Sequence, residues 1–109
     1  MVSPKSTIDQ LYEVIASRKD APPGNSYTGK LYAEGRMKIA KKFGEEAIEV
    51  CLATVNEGRS RVISESCDLL YHLLVLWAER GILPNEVWDE LTGRFGVSGM
   101  QEKASRPLK

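Results

Sequence analysis

Four carboxylates stand in two pairs of identical spacing, Glu46 with Glu49 and Glu65 with Asp68. A separation of three residues puts both members of a pair on one helix face, about 60° apart at ~100° per residue. The pairs flank Asn56-Glu57-Gly58, a helix stop. Two helices joined by so short a turn fold back as antiparallel neighbours, which brings the four carboxylates to one level. Ionised carboxylates gathered in this way repel, and burial worsens the repulsion, so cations must neutralise them. The ligand set is all oxygen. Neither Cys nor a Glu-x-x-His pair joins it, which disfavours zinc and the di-iron carboxylate bundles. Mg²⁺ is the expected ion and Mn²⁺ the next, because hard cations with oxygen ligands serve phosphate chemistry. Glu pairs at this spacing also decorate solvated helix faces, and spacing alone leaves that reading open.

Other residues near these pairs have two uses each. Lys38 and Lys42 lie eight and four residues before Glu46, on its stripe. They can make ordinary Lys–Glu pairs, or form a cation arm that holds outer phosphates as point charges. His72 follows Asp68 by four and Glu65 by seven. It reads either as a half-buried histidine satisfied by a hydrogen bond, or as a contact to substrate or to a ligand carboxylate. Gly44 inside a helix costs ~1 kcal/mol relative to Ala, which suggests close approach of a neighbour or ligand. Tyr27, Tyr32, Trp77 and Trp88 suit a core better than a base-stacking platform.

The elements that position these residues are helical almost throughout, and strand signals are missing. A first helix is expected over Thr7–Ser17, capped by Ser6, with Ile8, Leu11, Tyr12 and Ile15 as its apolar stripe. Ala21-Pro22-Pro23-Gly24-Asn25 breaks it. A short helix follows from Ser26 to Glu34, then a long one from Arg36 to Asn56. Ser60 is the expected cap of the next, which runs to Arg80 and stops at Gly81. Pro84 opens a last helix carrying Val87, Trp88, Leu91 and Phe95, with Glu86 near its positive end and Gly96 closing it. Leu69–Trp77 is apolar on nearly every side, so its helix needs covering all round. A chain of 109 residues hardly surrounds such a helix alone. The expectation is an all-α antiparallel bundle of about four main helices, with its core completed in a homodimer or higher homo-oligomer.

Net charge is zero, from 15 basic and 15 acidic residues. That excludes attachment to nucleic acid by bulk positive charge. The balance is uneven along the chain. Residues 1–42 are net positive, 43–90 strongly negative and 91–109 positive again. One domain over residues 1–96 and a basic tail over 97–109 are expected. Cys51 and Cys67 lie in apolar segments without metal-ligand spacing, which fits a reduced, cytoplasmic setting. Asp9 and Glu13 interrupt any signal peptide, and the longest apolar run is far short of the ~20 residues a membrane span needs.

Lys42-Phe43-Gly44-Glu45-Glu46-Ala47-Ile48-Glu49, followed by Glu65-Ser66-Cys67-Asp68-Leu69-Leu70-Tyr71-His72-Leu73, resembles the phosphoribosyl-ATP pyrophosphatase family. That family sits in the all-α nucleotide pyrophosphohydrolase superfamily, with its Glu-Glu-x-x-Glu…Glu-x-x-Asp signature. Ser26-Tyr27-Thr28-Gly29-Lys30-Leu31 points to this member in particular. The likeness covers roughly residues 7–95, and Glu102-Lys103-Ala104-Ser105-Arg106 is similar to tails in part of the family. Gly29 and Cys67 stand where other small residues are expected.

The resemblance implies hydrolysis of phosphoribosyl-ATP to phosphoribosyl-AMP and pyrophosphate, the second step of histidine biosynthesis. It implies Mg²⁺ and a homodimer. Carried over by position, the metal ligands are Glu46, Glu49, Glu65 and Asp68. Glu49 and Glu45 are the candidate catalytic carboxylates, Glu45 as an added ligand or a positioner of water. Lys30, Lys38 and Lys42 are the expected phosphate contacts, and His72 a group that orients substrate or a carboxylate. Some relatives are fused to a cyclohydrolase; the stand-alone form is expected here. Two alternatives stand beside this reading: a relative that clears non-canonical nucleoside triphosphates, and a non-enzymatic helical interaction module.

Overall fold

Helices punctuated by proline and glycine make up most of the described residues. The computed structural model describes residues 4–20, 22, 24 and 26–95. Five helices follow in order: α1 Pro4–Ser17, α2 Tyr27–Glu34, α3 Arg36–Asn56, α4 Arg59–Glu79 and α5 Pro84–Gly93. Among the described residues there is no strand. The expected tail, 97–109, and Gly96 lie outside them.

Three helix boundaries differ from the sequence reading. α1 starts at Pro4 rather than Thr7, so Ser6 lies within the helix and not at its cap. Proline suits a first helical turn because its missing N–H needs no partner there. α4 starts at Arg59, with Gly58 at the cap and no side-chain cap bond, so Ser60 is already helical. α5 ends at Gly93 rather than Gly96. Its last turn tightens there, as the amides of Arg94 and Phe95 donate to the carbonyls of Leu91 and Thr92. Phe95 is consequently exposed and not part of a buried stripe.

The remaining signals act as their chemistry requires. Ser26 caps α2, its hydroxyl accepting from the Gly29 amide at 2.8 Å. Gly35, at φ 97°, lets the chain pass from α2 directly into α3. Glu86 accepts from the Leu83 amide at 2.8 Å and satisfies an orphan donor at the start of α5.

α3 and α4 form an antiparallel hairpin. A two-residue turn, Glu57-Gly58, joins one pair of ends, and the Arg36–Glu79 ion pair at 2.7 Å joins the other. The core gathers at this second end. Tyr12 and Ile15 of α1, Leu31 of α2, Ile39 of α3 and Leu74, Val75, Trp77 and Ala78 of α4 are buried there. Tyr12 Oη donates to the Ile82 carbonyl at 2.7 Å, and Tyr32 Oη to the Ile15 carbonyl at 3.2 Å. These bonds tie α1 to the α4–α5 connection and to α2. Trp77 and Trp88 meet edge to face at 6.0 Å between centroids, which seats α5 on α4.

Toward the Glu57-Gly58 turn the hairpin stands with little cover. Ile48, Leu52 and Val55 of α3 are 60%, 46% and 76% exposed, and Ile63 and Leu70 of α4 are 55% and 43% exposed. Cys51 and Cys67 are also exposed. The helix expected to need cover on every side is therefore covered only in part by its own chain. No helix of the described residues is long and apolar enough to cross a membrane.

Candidate functional site

The hairpin register brings together three of the four predicted ligand carboxylates. Carboxylate oxygens of Glu46, Glu65 and Asp68 lie within 4.8 Å of one another. Glu46 comes from the middle of α3, and the other two from one face of α4. Glu49 is exposed and lies outside this trio. Its charge still acts on the Glu65 carboxyl. The i, i+3 spacing puts Glu46 and Glu49 on one face of α3, as it puts Glu65 and Asp68 on one face of α4, but of the α3 pair only Glu46 reaches the α4 carboxylates.

Glu65 is buried, at 8% exposure. Its partner is Arg61, one turn earlier, whose Nη2 donates to Oε2 at 2.6 Å. Removal from water pushes the Glu65 carboxyl above the usual carboxylate range. Arg61 pulls it down, while Asp68, Glu49 and Glu46 push it further up. The same guanidinium donates through Nε to Glu57 at 3.0 Å. Sequence reasoning passed over Arg61, although its signal was legible: it stands four residues after Glu57 and four before Glu65.

The predicted cations line an adjoining cleft of about 210 Å³, bounded by Tyr27, Lys30, Leu31, Glu34, Lys38, Lys42 and Glu45. Lys30 and Lys38 are exposed. Lys42 Nζ pairs with Glu45 at 3.3 Å. That hydrogen bond, with Tyr27 close by, raises the Lys42 ammonium above the usual lysine range. Glu45 thus faces the lysine cleft and takes no part in the trio. Gly44 shows no close neighbour within the chain: a Cβ added there would meet nothing within 4 Å.

His72 is buried with both ring nitrogens engaged. Nδ1 lies 2.8 Å from the Asp68 carbonyl, which can only accept, so the proton sits on Nδ1. Nε2, 3.2 Å from Tyr27 Oη, then accepts from the phenol. Tyr27 also stacks on Tyr71, whose hydroxyl bonds Thr28. Both ring nitrogens of His72 thus have partners within the chain. The imidazole holds Tyr27, and hence the start of α2, against the helix that carries Glu65 and Asp68. Tyr27 is half exposed at the edge of the cleft, and Trp77 belongs to the core.

Comparison with known proteins shows the family of the chain. Residues 8–95 match the family model described as phosphoribosyl-ATP pyrophosphohydrolase. The chain belongs to that family. A phosphoribosyl-ATP pyrophosphatase of Paramagnetospirillum magneticum is 53% identical over 109 residues, all of both chains. One from Rhodospirillum rubrum is 57% identical over 99 residues, 91% of this chain and 85% of the relative. One from Trichlorobacter lovleyi is 51% identical over 106 residues, 97% and 98% of the two. The span matched to the phosphoribosyl-ATP pyrophosphohydrolase model contains the trio, the lysine cleft and the Tyr27–His72 contact.

Proposed function

We propose that the chain hydrolyses phosphoribosyl-ATP to phosphoribosyl-AMP and pyrophosphate in histidine biosynthesis, with Mg²⁺ as cofactor and Mn²⁺ as a substitute. The single observation that carries this reading is the carboxylate trio beside a lysine-lined cleft, in a chain of the phosphoribosyl-ATP pyrophosphohydrolase family. The trio fits a hard divalent cation: its donors are all oxygen and they converge from two helices. Glu46, Glu65 and Asp68 would hold the ion, with Glu49 able to join from the next turn. The bound ion supplies neutralisation of charge on the phosphate oxygens and the leaving group.

The chain's own residues do the rest. Lys30, Lys38 and Lys42 bind the outer phosphates as point charges. A carboxylate, Glu49 first and Glu45 second, orients water toward the α-phosphorus and takes its proton. The water oxygen bonds to phosphorus, the α–β anhydride bond breaks, and pyrophosphate leaves. His72 acts at one remove, by fixing Tyr27 at the cleft edge.

The exposed stripe of Ile48, Leu52, Val55, Ile63 and Leu70 supports a homodimer in which two hairpins cover each other. Such a pairing completes an antiparallel helical bundle. A cytoplasmic setting follows from the biosynthetic substrate. The test is pyrophosphate release with phosphoribosyl-ATP, dUTP, dCTP and ATP, each with and without Mg²⁺. Preference for phosphoribosyl-ATP and loss of rate on chelation are expected. Preference for a simple triphosphate would assign a nucleotide-clearing role. Absence of release from every nucleotide would reduce the acidic face to a binding surface.

A further inference from the structure

Arg61 has no place in the reaction above, yet it makes the shortest ion pair to the carboxylate trio. Its Nη2 lies 2.6 Å from Glu65, and its Nε lies 3.0 Å from Glu57. Its side chain is 54% exposed, whereas that of Glu65 is 10% exposed. A buried carboxylate beside two others needs a positive charge, and this guanidinium supplies one. Glu57, the C-cap of α3, accepts from Nε of the same guanidinium at 3.0 Å.

We propose that Arg61 is the resident counter-ion of the carboxylate site and cedes Glu65 to the divalent cation when that cation binds. The inference rests on the metal reading given above. It follows from two demands on one carboxylate. A cation held by Glu46, Glu65 and Asp68 competes for the Glu65 carboxylate, whose Oε2 Arg61 engages at 2.6 Å, and it repels the guanidinium. Tethered by Glu57, Arg61 can swing off Glu65 without leaving the hairpin. The site is thus kept in shape before metal arrives, at the cost of weaker metal binding. A residue that merely pre-orients Glu65 has the opposite effect, since its removal would weaken binding.

The sign of the effect therefore decides. Mn²⁺ binding to the full chain is measured from the electron paramagnetic resonance signal of free Mn²⁺, for wild type, Arg61→Gln and Arg61→Lys. Removing a unit charge ~6 Å from a divalent ion in water-like surroundings corresponds to about tenfold in affinity. Arg61→Gln is expected to bind Mn²⁺ about tenfold more tightly, with Arg61→Lys close to wild type. Thermal melting gives a second readout. The Gln variant should melt below wild type without metal, and the gap should close at saturating Mn²⁺. Equal or weaker Mn²⁺ binding by Arg61→Gln, with helical content intact by circular dichroism, overturns the proposal. So does a melting deficit that persists unchanged at saturating Mn²⁺. Should Arg61→Gln fail to fold, Arg61→Ala is measured in its place, with the same tightening expected and equal or weaker Mn²⁺ binding overturning the proposal. No Mn²⁺ binding by wild type at millimolar concentration would instead overturn the metal reading itself.

Discussion

Leu52→Asp is the most searching single perturbation of the proposed assembly. Leu52 lies between Ile48 and Val55 on the exposed stripe of α3 and is 46% exposed in one chain. Burying a whole leucine is worth ~1.5–3 kcal/mol, so covering the exposed half is worth about 1 kcal/mol. A two-fold interface uses each residue twice, so deleting both contributions costs the dimer about 2 kcal/mol. An unpaired carboxylate carried into the interface from each chain adds several kcal/mol more. Together these amount to roughly 5 kcal/mol or more, which is over a thousandfold in the dissociation constant. Sedimentation equilibrium over nanomolar to high micromolar concentration reads this directly. Wild type should be dimeric at micromolar concentration. Leu52→Asp should be monomeric there with its helical content kept, because the side chain already meets water in the isolated chain. A wild-type monomer at these concentrations, or an Asp variant as dimeric as wild type, would refute the reasoning that the stripe is a subunit contact.

Three further outcomes are expected. Glu49→Gln should keep the helical spectrum but lose nearly all turnover; full activity at saturating Mg²⁺ would remove Glu49 from the machinery. Lys42→Gln should raise KM for phosphoribosyl-ATP about fivefold or more with a smaller change in kcat, as expected when one point-charge contact to phosphate is lost; steady-state kinetics would show it. Gly44→Ala should stabilise the chain by ~1 kcal/mol in urea unfolding, since helix propensity favours Ala and the added methyl meets nothing within 4 Å. A drop in stability would place a partner's surface against Gly44.

Much of the fold was legible because its signals are local. Ser26, Gly35, Gly81 and Pro84 set helix ends through a cap, positive φ or a missing N–H, and all lie at or next to the boundaries observed. Where the reading slipped, two local signals competed. Pro4 outbid Ser6 for the start of α1, and Gly58 outbid Ser60 for α4. Gly93 came before Gly96 as the end of α5.

Residue types and spacing by themselves determined the helical class, the hairpin of α3 and α4, and the meeting of carboxylates from the two. Those follow from 3.6-residue periodicity and a short turn, which leave the chain few options. Only the tertiary structure decided which carboxylates converge, because a ligand point depends on helix axial register to within a side chain's length. That register admits Glu46, Glu65 and Asp68 and leaves Glu49 a turn away. Tertiary contact also supplied the partners of His72, whose two nitrogens meet groups 4 and 45 residues distant in sequence. The same is true of Arg61: its spacing was visible, but its importance came from the burial of Glu65, a property of packing rather than of sequence order.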